Sequence, residues 1–551
     1  MTPTSNDAES AVAEPGAEAA PPGKPAPPGP ATPQRALRPA GSGRPGRLGR
    51  LGRLARRVPA HWRLPLAVAV GTELILLLWW AAFYPGLTSY DSAMYVSQVT
   101  IGPWSSDHSV LYDAMIWLVL HIPGKLALLT LAQTFAAAAT LAYLCVALRG
   151  LGCRGRWTAP IALLLAAAPP TGAFVLFIWK DVPFTLCSLV VFAATVRLIA
   201  LRPTEAARPT GAARGTAAPR GDWWALGLAL LGLGLFRNNG LGVALVAGLA
   251  VAIAVPGRRV VLTALTTASV GVSLACQLFL YPALGIQQPS VSSVFSLNYH
   301  DIAVVYANAP ESFTAQEKAV MAEVTPLTEW TAGGSNCYVS DQFVSNWQFN
   351  RTAAEKVNSQ LTDIWTHALK TRPDLVLQAR ICRGDIAWSP FPGPPALSGD
   401  TWIAYPGVAP QDLYGLAAPG TPMASDPYRL ALYSHPVSQR LRTVAATWYN
   451  AFRVPQLDWI VYRGATWCYL AYAAIAFYVG RRRMRAVYAL VGVPLAYQLT
   501  VLAANPAPLY RYMVGPLFIG PFCLALIPAL RGYEQPHEDG GDRERDRDAG
   551  S

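Results

Sequence analysis

Uncharged apolar runs close to 20 residues long recur along the chain, and no other feature restricts its fold as much. As a helix, such a run crosses the roughly 30 Å hydrocarbon core of a bilayer. The chain therefore reads as an all-α polytopic membrane protein. Charged residues make up 14% and hydrophobic ones 52%, against about a quarter charged in soluble domains. The net charge of +12 is not a nucleic-acid signal, because most arginines sit in short loops and the N-terminal tail. There they orient helices by the positive-inside rule. Membrane lipids, not nucleic acid, are the surroundings this charge pattern implies.

About ten spans are expected, at 64–83, 126–148, 157–178, 182–201, 223–236, 239–256, 260–281, 456–479, 486–503 and 510–530. The tail before Leu64, the trio Arg149/Arg154/Arg156, the loop from Arg202 to Arg220, Arg258/Arg259 and "RRRMR" at 481–485 then all fall inside. Both termini are cytosolic in this reading, and 282–455 lies outside. The stretch 223–255 is short for two full crossings, so a shallow hairpin or broken helix is the alternative. "SVLYDAMIWLVLHIPG" (109–124) has helical spacing and is placed as an interfacial helix on the outer side.

Five regions follow: a basic tail 1–57, a transmembrane module 58–281, the extracytoplasmic segment 282–455, C-terminal helices 456–530 and a charged tail 531–551. The tails are too polar and too rich in Pro and Gly to offset their ordering entropy and read as disordered. The first apolar run lies far from Met1 and is long enough to span, so no signal peptide is expected. The Ala/Arg/Pro/Gly bias points to a high-GC bacterial genome, hence a bacterial cytoplasmic membrane.

The outer segment shows helical patterns. Thr314 and Glu317 form a capping box, and Val357, Leu361, Ile364, Trp365 and Ala368 share one helix face. Of eight cysteines, none has metal-ligand spacing. Cys337 and Cys382 share this segment, which faces an oxidising compartment if it is external. A disulfide between them would close a loop of about 45 residues, worth about 3–4 kcal/mol by the loop-entropy model; the alternative is two free thiols.

Polar residues gather at helix ends. Asp91 follows the first span in "YPGLTSYDSAMYVSQ" (84–98), and Asp107 and His108 follow in the same loop. Lys180 and Asp181 stand between the third and fourth spans, Arg237 and Asn238 after the fifth, and Arg511 and Tyr512 at the start of the tenth. Loop charges alone put every one of them at the outer face. Singly, each has a plain reading: a solvated loop carboxylate, a hydrogen-bonded loop histidine, a local Lys–Asp pair, arginines that snorkel. Together they bring an acid, an imidazole and three cations to one surface. That set suits a lipid-phosphate donor, whose leaving group cations stabilise while a carboxylate takes an acceptor proton. Glu73, midway along the first span, is an intramembrane carboxylate and a functional suspect on that ground, with a buried polar pairing as the plainer reading.

"YPGLTSYDSAMYVSQ", the "DH" before "VLYDAMIWL", "IWKDVPF", "LFRNNG" and "YRYMVGP" resemble, in order, a bacterial integral membrane family related to the GT-C glycosyltransferases. The resemblance covers most of 64–530. It implies a polyprenyl-phosphate-linked sugar as donor, Asp91 as catalytic acid/base or acceptor-binding carboxylate, and Lys180, Arg237 and Arg511 on the donor phosphate. The pattern departs at His108-Ser109, where relatives often have His-Pro. Asp91 also has no acidic neighbour, so no metal or other cofactor is expected.

The expected function is sugar transfer to a cell-envelope glycan or lipid acceptor at the outer face, with His108 orienting acceptor or carboxylate and Asp181 and Asn238 completing the substrate site. The rivals are a transporter or flippase of lipid-linked sugars, for which "AAAPPTG" (166–172) and "LFRNNGLG" would be broken helices, and a non-catalytic envelope protein.

Overall fold

The computed structural model describes residues 59–201, 220–391, 422–425 and 429–530. The two tails, the basic loop before Arg220 and most of the Pro/Gly-rich stretch after Phe391 lie outside these residues. Among the described residues regular structure is helical, with isolated bridges at Leu87–Phe177 and Ser105–Gln287.

The first half runs α1 (Ala60–Ala82), α2 (Tyr90–Thr100), α3 (Val110–His121), α4 (Ala127–Arg149), α5 (Gly155–Ala167), α6 (Asp181–Ala200), α7 (Arg220–Phe236), α8 (Gly240–Ala254) and α9 (Arg259–Ala275). Among the described residues six helices are long and apolar enough to cross a membrane: His61–Ala82, Ala127–Arg149, Asp181–Ala200, Arg259–Ala283, Arg485–Ala503 and Tyr510–Ala529. A seventh arises if α5 and Pro169–Leu176, bent by 76°, count as one span. Pro169 explains the bend. A residue before proline is driven out of the α region, and Ala168 has φ −71° and ψ 133°.

The other apolar runs are helical but shorter or less apolar. Helices α7 and α8, of 17 and 15 residues, reach only about 23–26 Å at 1.5 Å per residue. The run expected from 456 starts its helix at Gly464. Buried Arg463, paired with Asp385 at 2.8 Å and Asp458 at 3.3 Å, holds the preceding residues in short turns.

Helix α1 packs on α4 and α5, α4 on α6, α6 on α7, and α9 on both α7 and α8. On the opposite side of α1, Leu66, Val70, Leu74 and Leu78 are exposed at four-residue spacing, a continuous apolar stripe of the kind that faces lipid tails. Glu73 accepts from Thr134 Oγ1 at 3.0 Å, so this acid is buried against α4.

Beyond α9 come α10 (Ser296–Asn308), α11 (Ala315–Val324), α12 (Leu327–Ser335), α13 (Asn358–Thr371) and α14 (Pro373–Arg383). They enclose a second core that includes Tyr299, Ile302, Trp330, Phe343, Phe349, Leu361 and Ile364. The capping box forms as spaced: Glu317 N donates to Thr314 Oγ1 at 3.2 Å, and Thr314 N to Glu317 Oε2 at 2.7 Å. Gly334 lies where a Cβ would collide with the Ala303 carbonyl, which lets α12 cross α10 closely. Cys337 and Cys382 are joined in a disulfide with Cα atoms 5.6 Å apart. Beside it, fully buried Asp301 receives Arg383 and, at 2.5 Å, Arg380.

The chain ends with α15 (Gln439–Ala451), α16 (Gly464–Arg482), α17 (Gly492–Ala503) and α18 (Val514–Leu524), the last two each entered by a 3-10 turn. Between α17 and α18 the segment built on the second core grips the connecting loop. Ser340 N and Oγ both donate to Pro506 O, at 2.8 and 3.0 Å, and Asn505 Nδ2 donates to Arg383 O at 2.6 Å. Arg380 also donates to Ala503 O at 3.1 Å. This grip fixes the approach to Arg511.

Candidate functional site

Two backbone clips build the site. Leu87 N donates to Leu176 O and Ile178 N to Leu87 O, both at 2.9 Å, laying the loop after α1 beside the chain that leads into α6. Ser92 Oγ adds a bond to Ile178 O at 3.0 Å, and Trp179 Nε1 one to Ser89 Oγ at 2.5 Å. Ser89 caps α2, so Asp91 falls in its first turn, where a helix dipole favours a carboxylate. The second clip joins Ser106 N to Gln287 O at 2.8 Å and Gln287 N to Trp104 O at 2.9 Å. It fixes the loop bearing His108. Ser109 then accepts from Tyr112 N at 3.1 Å as the cap of α3 and donates to Leu235 O at 2.9 Å, tying that loop to the end of α7. Serine thus performs here a tethering job that a proline could not.

On this frame the charged side chains pair off. Arg511 bonds Asp91, and Arg237 bonds Asp181. Lys180 Nζ donates to His108 Nδ1 at 3.1 Å. The two guanidinium groups lie over the same ring, Tyr512, at 4.8 Å for Arg237 and 5.1 Å for Arg511. Arg511 also lies 5.2 Å from the Trp179 ring, which stacks on Phe177 at 3.9 Å. Aromatic faces carry the negative end of a quadrupole and so stabilise cations held this close. Tyr95 meets His108 edge-on at 5.0 Å, and Tyr112 behind it donates to Gln133 at 2.9 Å. Gln133 in turn donates to Val175 O and Phe177 O, at 2.7 and 3.0 Å.

Asp91 keeps 21% of its side chain accessible. Burial pushes its carboxyl up, but Arg511, then His108 and Lys180, outweigh this and bring it to about 2. Burial, reinforced by Lys180, holds the His108 imidazole down to about 3. At neutral pH His108 is therefore uncharged, and Arg511 and Lys180 are the cations that hold Asp91 ionised. With Nδ1 accepting from lysine, the imidazole proton sits on Nε2. Burial, followed by Arg237, lowers the Lys180 ammonium, while Asp181 and Asp91 oppose the change. Three cations against two carboxylates leave one positive charge over in this inner ring. Further out, burial raises the carboxyls of Asp107 and Asp341, with Arg351 among the cations opposing both shifts.

The structure thus brings Asp91, His108, Lys180, Asp181, Arg237, Arg511 and Tyr512 into one cluster. Asn238 makes none of these pairings; with His108, Ser106, Leu235 and Gln277 it lines a void of about 60 Å³ that reaches the cluster through His108, room for a few waters. The basic residues Arg149 and Arg482 stand at helix ends remote from this cluster, where Tyr478 Oη reaches Leu151 O at 2.7 Å. Among the described residues no group of three or more His, Cys, Asp or Glu is placed to hold a metal ion. Trp179, noted in the sequence only as part of "WKD", also belongs to the site, as do Tyr95, Gln133 and Asp341, which sequence reasoning did not single out. Asp113 is another: both its oxygens are buried without a hydrogen bond, and burial, against Lys180, pushes the group up to about 8. Only the "WKD" and "DH" neighbourhoods carried a local signal for any of these. No family model, curated protein or solved structure matches the chain.

Proposed function

We propose that the chain is an inverting membrane glycosyltransferase of GT-C type that uses a polyprenyl-phosphate sugar at the outer face of a bacterial cytoplasmic membrane. In this reading the chain crosses about ten times, and the segment 282–455 is external and meets the acceptor glycan or lipid. The observation that carries the proposal is the Asp91–Arg511 pair, flanked by Lys180–His108 and Arg237–Asp181.

The donor is a phosphodiester with one negative charge, which matches the one surplus positive charge of the inner ring. An acceptor hydroxyl oxygen bonds to the anomeric carbon as the bond from that carbon to the phosphate oxygen breaks. The hydroxyl proton passes to Asp91, and the lipid phosphate leaves with the bonding electrons as a dianion. One negative charge therefore moves from the carboxylate to the phosphate. Arg511, beside Asp91, follows that charge, so its interaction with the phosphate strengthens as the reaction proceeds, which is what accelerates a chemical step. When Arg511 turns to the donor phosphate, Asp91 is released into a buried setting that raises its basicity. Nε2–H of His108 is free to orient the acceptor or the carboxylate.

The break after α5 favours the flippase reading on its face, since interrupted helices line transport paths. Yet the carbonyls it frees are all taken. Thr171 Oγ1 donates to Leu165 O at 2.5 Å, Trp79 Nε1 to Ala166 O at 3.0 Å and Trp448 Nε1 to Ala167 O at 2.9 Å. The bend is thereby sealed, and transfer remains the better reading.

The test is transfer from a panel of radiolabelled polyprenyl-phosphate sugars to envelope acceptors, by wild type and Asp91→Asn in lipid nanodiscs. The variant should fold and lose transfer. A fully active Asp91→Asn protein removes the base from the mechanism, and transport without transfer by wild type favours the flippase.

A further inference from the structure

Residues 345–351, "SNWQFNR", hold Trp347 out at 88% exposure, the highest of the large apolar side chains described. The segment is anchored on both sides of it. Phe349 is buried against Phe343 at 5.1 Å and Tyr299 at 5.9 Å. Asn350 N donates to Val324 O at 3.0 Å, Asn346 Nδ2 to Glu329 Oε2 at 3.0 Å, and Arg351 to Ser345 Oγ at 3.2 Å. A built frame thus keeps an indole in water at the expense of burying it. The indole borders an open hollow of about 710 Å³, lined also by Pro326, Gln348, Phe349, Asn350 and Arg351.

We propose that this hollow binds a carbohydrate chain, with the C–H face of a sugar ring on the Trp347 indole and its hydroxyls on Gln348, Asn350 and Arg351. An aromatic plane next to amide and guanidinium groups supplies what a sugar ring needs: an apolar face and paired directional donors and acceptors. A lipid-facing surface in this chain looks different, as the unbroken Leu66–Val70–Leu74–Leu78 stripe of α1 illustrates; Trp347 instead has Asn346 and Gln348 as neighbours. Arg351 also lies within electrostatic range of Asp341 and Asp107, at the rim of the Asp91 cluster. The hollow's lining residues are distinct from those of the cluster, and Arg351 is the electrostatic link between the two. That the bound chain is the acceptor rests on the transfer reading; that the hollow binds sugar does not.

The test uses the full chain in nanodiscs, labelled with 5-fluorotryptophan, with the Trp347 fluorine resonance assigned by its loss in Trp347→Phe. Maltohexaose, mannohexaose, chitohexaose, xylohexaose and arabinohexaose are titrated separately. At least one should move that resonance saturably, and Trp347→Ala should weaken its binding about tenfold, the upper range for one aromatic contact. Asp91→Asn should bind as wild type does, so loss of transfer and loss of sugar binding are read apart. A Trp347 resonance that no saccharide moves, or one that spin-labelled lipid broadens, overturns the proposal.

Discussion

Replacing Arg511 with Gln separates the proposed base from its partner without touching the base. Holding the Asp91 carboxyl at about 2 instead of 3.8 amounts to about 2 kcal/mol in favour of its ionised form. Arg511 is the foremost of the cations responsible, and burial, the largest single influence, acts the other way. Arg511→Gln removes the cation and keeps the burial, so the carboxyl must rise above about 2, with Lys180 alone opposing burial at neutral pH. A base works only when ionised, so activity is lost as pH falls through its pKa, and kcat/KM reports that pKa in the free enzyme. The wild-type acid limb therefore lies below the range in which the protein is assayed, and the profile should be flat from neutral pH down to about 4. In Arg511→Gln an acid limb should appear inside that range, on top of a fall in rate of about a hundredfold or more from the lost phosphate contact. The assay is transfer against pH in nanodiscs with the donor held well below its KM, so that kcat/KM is read. A variant that is slower but keeps the flat wild-type profile refutes the assignment of Asp91 as base. The pair's contribution to stability has the same sign: it is complete above 3.8 and disappears only as pH falls through about 2.

Two further outcomes follow from the geometry. Cys337→Ala/Cys382→Ala should lower the stability of the helical segment they staple by about 3–4 kcal/mol, the loop-entropy value for a separation near 45 residues, and unreduced wild type should resist thiol labelling at both positions. In Lys180→Gln, histidine NMR should show His108 titrating above its wild-type value of about 3 but still below 6.5, because burial remains as the larger cause; a normal titration would mean the imidazole is not enclosed as described.

Local rules made much of this fold readable. The Thr314–Glu317 box and the face running through Leu361, Ile364 and Ala368 appear where residue spacing put them, and the Cys337–Cys382 bridge forms between the two thiols that share one polar segment. Helix ends were harder, because they answer to distant partners. The turns before Gly464 are held by an ion pair with Asp385, and no signal near Arg463 announces it. The site divides in the same way. Loop charge assigns the helix-end cations and carboxylates to one side and the structure gathers them in one cluster, yet which arginine serves which aspartate depends on the Leu87–Leu176 and Ser106–Gln287 clips. Gln133 reads as an ordinary span residue and Trp179 as a neighbour of the Lys180–Asp181 pair until those clips put them behind the charges. Asp341 comes from the other core altogether.

The pairing of Asp91 with Arg511 joins residues 420 positions apart, and this separation also sets a timetable for biosynthesis. At about 5–20 residues per second, roughly 20 to 80 s separate the emergence of the carboxylate from that of its guanidinium. Lys180 is made much earlier and serves as the first cation near Asp91. A nascent chain cut short anywhere before its last helix thus carries an acid still matched only to lysine, with no Arg511 to hand over to a phosphate. On the transfer reading, catalytic competence would therefore arrive only near the end of translation, and half-made copies would not consume donor.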